Sequence, residues 1–230
     1  MVASSSSSAT AGSRDRVPPG QIVTAGWPVL HAGSVPKGLD VGHYTLRVHG
    51  EVEHPLVLSF ADLLRRPQKE LTCDIHCVTS WTKLGMRWSG VPFRALAEEA
   101  RPKDSAQFVV MECEQGFTTS LPLSVMMEDD VLLAHSAQGG PLPAEHGGPV
   151  RVLVPRRYFY KSAKWVRGLR FVHEDAPGFW EVRGYSNIAD PWRETRYDVD
   201  DRKVIFAMRK GALFRPIDAD VRSGGTDTGR

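Results

Sequence analysis

Cys73, His76 and Cys77 form a C-x-x-H-C arrangement, the first place in the sequence where residue types and spacing could do chemistry. Soft sulfur and imidazole donors suit zinc. A structural zinc site normally takes four ligands in paired knuckles, however, and the remaining cysteine, Cys113, sits in an apolar stretch with no second donor beside it. A non-catalytic zinc- or anion-binding module using Cys73, His76 and Cys77 is therefore the alternative reading. Cys73 and Cys113 are expected to be buried, inert thiols. A Cys73–Cys77 disulfide, serving a redox-regulated interaction protein, fits less well, because four-residue spacing in a strand-to-loop segment strains the bridge and no C-x-x-C is present. Cys77 is set apart by the residues on its C-terminal side. A thiolate binds soft or high-valent metals and must be kept deprotonated. Lys83 and Arg87, in the stretch TSWTKLGMRWSG, could lower its pKa, or that stretch could be ordinary solvated surface.

A second cluster comes after the glycines of GGP: Arg151, Arg156, Arg157, Lys161, Ser162 and Lys164. Guanidinium forks and backbone amides from a glycine- or serine-containing turn are what a phosphate needs. The bland reading is a basic surface loop beside a strand. The formal net charge is only +2 and the positive charge is concentrated in one loop, so nucleic acid is not an expected partner. Taken by themselves, these residues amount to an anion-binding loop and a candidate thiolate.

The elements that must position them are mostly short. In 44–52 apolar Tyr44, Leu46 and Val48 alternate with Thr45, Arg47 and His49, as in a half-buried strand. Ser59 and Asp62 form a capping signature for a short helix that Pro67 ends. The segment 70–78 should leave a strand for a loop at 79–90. Pro92 should stand in the first turn of a helix through Phe93, Leu96 and Ala97 to Glu99. Strands are expected at 106–113, 117–121, 150–155 and 164–172, a short helix at 123–129, and a loop at 137–149. This is an α+β pattern with many short strands and few short helices, without βαβ alternation or a nucleotide-binding glycine motif.

At 230 residues, with 41% hydrophobic and 24% charged, the chain suits a soluble globular protein. Three cysteines do not make a secreted disulfide framework, and no apolar run approaches the roughly 18–20 residues that span a bilayer. The Ser-rich start lacks an apolar leader, and Asp15 separates Arg14 from Arg16, so a twin-arginine pair is absent. The expectation is a cytoplasmic protein with a disordered tail at 1–25, one domain at 26–215 with order beginning near Trp27, and a flexible end at 216–230.

Taken in order, four stretches resemble one family. TCDIHCVTSWTKLGMRWSGVPFRAL resembles the segment carrying the metal-binding cysteine of sulfite oxidases and bacterial methionine sulfoxide reductase catalytic subunits. GGPVRVLVPRRYFYKSAKWVRGLRF resembles the segment that wraps the pterin's phosphate, and WPVLHAGSVP the N-terminal segment that approaches the pterin. FWEVRGYSNIADPWRETRY resembles the C-terminal signature of the small sulfite oxidase-like subgroup. The resemblance spans roughly residues 27–200.

It implies the sulfite oxidase molybdopterin-binding fold, and an enzyme holding molybdopterin with molybdenum that moves an oxygen atom to or from a small substrate such as sulfite or an S- or N-oxide. It makes Cys77 the molybdenum ligand. Arg151, Lys161, Ser162, Ala163 and Lys164 fall at its pterin and phosphate contacts, His31 and His146 at positions where relatives place Asn, and Thr118 and Thr119 at a further pterin contact. Lys83, Arg87, Arg156 and Arg157 are candidates for a positive rim that holds an oxyanion. Animal relatives carry a haem domain and a dimerisation domain for which this chain has no room, so no haem and a separate electron-transfer partner are expected. Leu30 stands where those relatives have an arginine, which weakens the case for sulfite.

Overall fold

The computed structural model describes residues 15–202. The expected tail at 216–230 and the first 14 residues of the expected 1–25 tail lie outside that range. Among the described residues are eleven strands in two sheets and three short α-helices.

The five-stranded sheet runs β3(Leu56–Ser59)–β2(Thr45–Gly50)–β11(Val166–Val172)–β6(Phe108–Cys113)–β7(Thr118–Pro122). β2 obeys its alternation: Leu46 and Val48 are buried while Thr45 and Arg47 face out. β11 pairs with β2 in parallel and with β6 antiparallel. Ser59 and Asp62 form a complete capping box on α1 (Phe60–Leu64). Pro92 is the residue before α2 (Phe93–Ala100) instead of lying in its first turn. Phe93, Leu96, Ala97 and Ala100 form the buried stripe of α2, at the spacing of one helical face. They join Leu46, Val48, Val109, Met111, Leu169 and Phe171 in the main core. The third helix, α3, is shorter than expected, at Leu123–Met126.

The second sheet is built around β5 (Trp81–Pro92), which takes up nearly all of the stretch read as a loop. Its flexible-looking composition misleads because the strand serves three partners. Its start pairs with β1 (Ile22–Val23) in parallel, its length with β4 (Lys69–His76), and its end with β8 (Leu132–Ala137). Met86 and Trp88 point inward and Arg87 outward, so the basic residues occupy the solvent face of a strand. β8 is not among the expected strands; the short β9 (Gly140–Pro141) pairs with it within the expected 137–149 loop, and β10 (Arg151–Leu153) lines its other edge. β1 also places order ahead of Trp27, and Arg16 pairs with Asp74 on β4, so the tail boundary near 25 is too late. No helix among the described residues is long and apolar enough to cross a membrane.

Candidate functional site

Cys77 sits where β4 turns into β5. Its carbonyl accepts from the Ser80 amide at 3.0 Å, its amide donates to the Trp81 carbonyl at 2.8 Å, and Ser80 closes the turn at φ 70°. Gln21 Nε2 donates to the same Cys77 carbonyl at 3.1 Å. The Thr79 hydroxyl lies 3.1 Å from the Cys77 sulfur. Burial pushes the Cys77 thiol up, and Thr79 and the positive charge of Arg196 oppose that rise. Arg196 Nη1 also donates to the Val78 carbonyl, and its guanidinium lies 5.0 Å from the Tyr158 ring centroid.

A second wall of the site begins at Gly147, with φ 105°, and Gly148. A Cβ on Gly147 would meet the Lys164 side chain at 2.9 Å, and one on Gly148 the Leu142 carbonyl at 2.0 Å, so only glycine fits. Segment 159–164 folds back over β10: Ala163 accepts from the Val152 amide at 2.9 Å and Ser162 Oγ from the Val154 amide at 2.9 Å. Arg151 is fully buried against this turn. Its two terminal nitrogens donate to the carbonyls of His146 and Ser162, its Nε has no partner, and its charge lies 4.1 Å from the Phe159 ring centroid. No carboxylate forms an ion pair with it among the described residues, and burial lowers its pKa to about 9. Lys164 donates to the Glu145 carbonyl, and burial with the charge of Arg151 lowers its pKa to about 7. His146 stacks on Trp27 at 3.6 Å, and burial with Lys164 and Arg151 brings its pKa down to about 4. Burial and Lys164 also lower His31.

Both sides open on one cavity of about 510 Å³. Of the residues singled out from sequence, Cys77, His31, His146, Arg151, Ser162, Ala163 and Lys164 line it. Seven others do not. Lys161 is turned away and fully buried, donating to the Ser120 carbonyl, the Glu181 carboxylate and Asn187 Oδ1. Thr119 donates to the same Glu181 oxygen, and the Thr118 carbonyl accepts from the Phe179 amide at 2.8 Å. These three form a clamp that holds residues 178–187 against the domain. Lys83 donates to the Ala25 carbonyl at 2.7 Å, Arg87 is exposed on β5, Arg156 pairs with Asp130 and Glu128, and Arg157 Nη1 donates to the Arg156 carbonyl at 3.0 Å.

The segment held by the clamp supplies a feature that sequence reasoning missed, an aromatic wall of Phe179, Trp180 and Tyr185 facing the cavity. Gly178 makes it fit, since a Cβ there would meet the Thr118 carbonyl at 2.1 Å. Arg196 was also missed. It lies more than a hundred residues from the turn it holds, and no local pattern links the two.

The zinc alternative does not survive. Among the described residues no group of three or more His, Cys, Asp or Glu side chains could hold a metal ion. His76 Nδ1 is instead 2.9 Å from the Thr82 hydroxyl, and burial pushes the Cys73 thiol up to about 12. All three cysteines are free, so the Cys73–Cys77 bridge is absent as well.

A family model described as the oxidoreductase molybdopterin binding domain matches residues 32–180. The chain is 46% identical over 185 residues to an uncharacterized oxidoreductase, YuiH, of Bacillus subtilis, across 80% of this chain and 93% of that one. It is 27% identical over 150 residues to a putative protein-methionine-sulfoxide reductase subunit, YedZ1, of Azospira oryzae, across 65% of this chain and 57% of that one. The sulfane dehydrogenase SoxCD from Paracoccus pantotrophus superposes with a TM-score of 0.57 at 30% identity, across 64% of this chain and 41% of that one. The mixed sheets with few short helices agree with that fold, and the resemblance read from the four stretches is borne out. The chain belongs to the molybdopterin-binding oxidoreductase family and is an enzyme of that family.

Proposed function

We propose that the cavity holds molybdopterin with its metal, molybdenum, bound to the Cys77 thiolate, and that the enzyme moves an oxygen atom to or from a small substrate while a separate partner exchanges the electrons. One observation carries the reading. The Cys77 thiol and the buried Arg151, which forms no ion pair with a carboxylate among the described residues, line one cavity.

The residues present fit the group. A buried guanidinium without a carboxylate is costly unless an anion reaches it. Arg151 and Lys164 share the wall built on the Gly147 turn; burial lowers the pKa of both, and the charge of Arg151 lowers Lys164 further. A phosphate there offsets that burial through charge-assisted hydrogen bonds. The unpartnered Nε of Arg151 and Nδ1 of His146 supply further polar contacts. The volume lies within the range of small-molecule and cofactor sites.

When bound, the cofactor supplies two-electron oxygen-atom transfer, chemistry that protein side chains lack. The chain does the rest. Cys77 offers a charged soft donor from a rigid turn, with Thr79 and Arg196 favouring its thiolate. Arg151, Lys164 and Ser162 hold the phosphate end. The aromatic wall displaces water and positions substrate.

The test is metal and pterin analysis of the purified protein, then a dye-coupled screen of sulfoxides and N-oxides beside sulfite. Molybdenum and pterin near one per chain with oxygen-atom transfer support the reading; zinc alone, or neither metal nor pterin, rejects it.

A further inference from the structure

Two residues make up β1, and they bury little. Ile22 is 74% and Val23 48% exposed, so apolar packing is not what this strand contributes. Its polar contacts fall on the stretch that follows Cys77. The Ile22 amide donates to the Ser80 carbonyl at 2.9 Å, and the Thr24 amide to the Thr82 carbonyl at 2.8 Å.

Gln21 stands immediately before this strand. Its Nε2 donates to the Cys77 carbonyl at 3.1 Å, and its Oε1 accepts from the Thr82 hydroxyl at 3.4 Å. The partners dictate the orientation of the amide. A backbone carbonyl only accepts, so the NH2 group must face Cys77, which leaves Oε1 for Thr82. Thr82 is fully buried, and its oxygen also meets His76 Nδ1 at 2.9 Å. With the single hydroxyl proton given to Gln21, the His76 nitrogen is the donor there. His76, Thr82, Gln21 and the Cys77 carbonyl form one directed chain of hydrogen bonds.

Local sequence builds the approach to Gln21. Pro18, Pro19 and Gly20 make a turn closed by the Gln21 amide on the Pro18 carbonyl at 3.3 Å, with Gly20 at φ 66°. Proline presets the first central position of such a turn, and glycine admits the positive φ of the second. A Cβ on Gly20 would meet Glu194 Oε1 at 3.0 Å, so the turn packs against the segment that carries Arg196. Arg196 in turn holds the Val78 carbonyl. Two consecutive carbonyls, 77 and 78, are held by residues from the two ends of the described chain.

We propose that Gln21 is a positioning residue for Cys77: its amide fixes the Cys77 carbonyl, and with it the direction in which the sulfur is presented to the metal. The inference rests on the reading of Cys77 as the metal's ligand. Gln21 is not among the residues that line the cavity, so it acts through Cys77 and not on the substrate. The Ser80 amide closes the turn on the same carbonyl, which has two lone pairs; Gln21 takes up the second. With both held, the peptide between 77 and 78 resists tilting, and the Cβ of Cys77 is fixed with it. Outer partners that orient a metal ligand typically govern affinity or activity by about 10–100-fold.

The test compares two substitutions in the same segment. Gln21→Met keeps the length of the side chain but removes its donor and acceptor. Arg16→Met frees the segment from Asp74 without touching the Cys77 carbonyl. In the holoenzyme, Gln21→Met should shift the molybdenum paramagnetic-resonance signal and lower kcat about tenfold, with KM changed by less than about twofold and pterin content maintained. Arg16→Met should leave the signal and kcat as they are in the unaltered enzyme. Gln21→Glu is the second variant, for use if Gln21→Met does not fold. It keeps the shape and the acceptor for Thr82 but sets an oxygen against the Cys77 carbonyl, and should shift the signal as well. In cofactor-free protein, the Ser80 amide should exchange its hydrogen faster in Gln21→Met than in Arg16→Met. An unchanged signal and kcat in the Gln21 variants, an equal change in Arg16→Met, or equal Ser80 exchange in the two overturns the inference and leaves Cys77 as the ligand. Unaltered protein without molybdenum and pterin removes the metal reading, and this inference with it.

Discussion

Arg196 Nη1 donates to the carbonyl of Val78, the residue next to Cys77, and so ties the C-terminal segment to the turn that presents the thiol. The segment carrying Arg196 is itself pinned, because Asp201 accepts from the Ser186 hydroxyl and from the Asn187 amide at 2.7 Å. The aromatic wall and the thiol are therefore positioned by one piece of chain.

Removing that tie should loosen the turn. Arg196→Met is expected to cost roughly 1.5–3 kcal/mol, the range for a hydrogen bond to a charged group. It should lower the molybdenum-to-pterin ratio while pterin content is maintained, because the phosphate wall is untouched. Thermal denaturation and parallel metal and pterin assays check this. An unchanged ratio would show that the tie is dispensable.

The Lys161–Glu181 pair is buried on both sides, with side chains 0% and 2% exposed. Lys161→Met strands the Glu181 charge and should destabilise the fold by ~3–5 kcal/mol, as for a buried pair that loses one partner. The double variant Lys161→Met/Glu181→Leu should recover much of that loss in denaturant unfolding. If Lys161 bound the pterin phosphate instead, the single variant would lose cofactor at little cost in stability.

Lys164 sets a pH dependence for anion binding to the cofactor-free protein. Burial and Arg151 bring its pKa down to about 7, and a bound anion raises it again. Below about 7 the amine is already charged, so affinity stays level. Above it, binding must take up a proton, and affinity falls by up to about tenfold per pH unit. Calorimetry with sulfate, whose charge is constant across this range, should show the fall. Lys164→Met should flatten it, and an unaltered slope in that variant would assign the titration elsewhere.

Lys83, Arg87 and Arg156 lie outside the cavity. The triple variant Lys83→Met/Arg87→Met/Arg156→Met should change KM by less than about twofold, because partly exposed charge interactions are typically worth ~0–1 kcal/mol. A KM several times higher would restore the positive rim.

Several features are legible in the sequence alone because their causes are local. The alternation around Leu46 and Val48 and the Ser59–Asp62 capping box each act within a few residues. Cys77 and Arg151 stand out because the residues around them form ordered motifs. Other features depend on distant partners. Trp81–Pro92 looks like a loop until β1, β4 and β8 are seen to need it as a shared strand. Lys161 belongs to the same basic run as Lys164, and only Glu181, twenty residues later, turns it inward. Phe179, Trp180 and Tyr185 become a cavity wall through the Lys161–Glu181 clamp and the close approach of Gly178 to Thr118.

Whether Cys77 binds the metal is decided by comparing molybdenum, pterin and turnover in the unaltered protein and in Cys77→Ser. About one molybdenum and one pterin per chain are expected in the unaltered enzyme. The variant should keep its fold and much of its pterin but lose turnover, with sulfur coordination to molybdenum reduced by one in X-ray absorption. Full activity in Cys77→Ser, or unchanged sulfur coordination, would contradict the assignment of Cys77 as the metal's ligand.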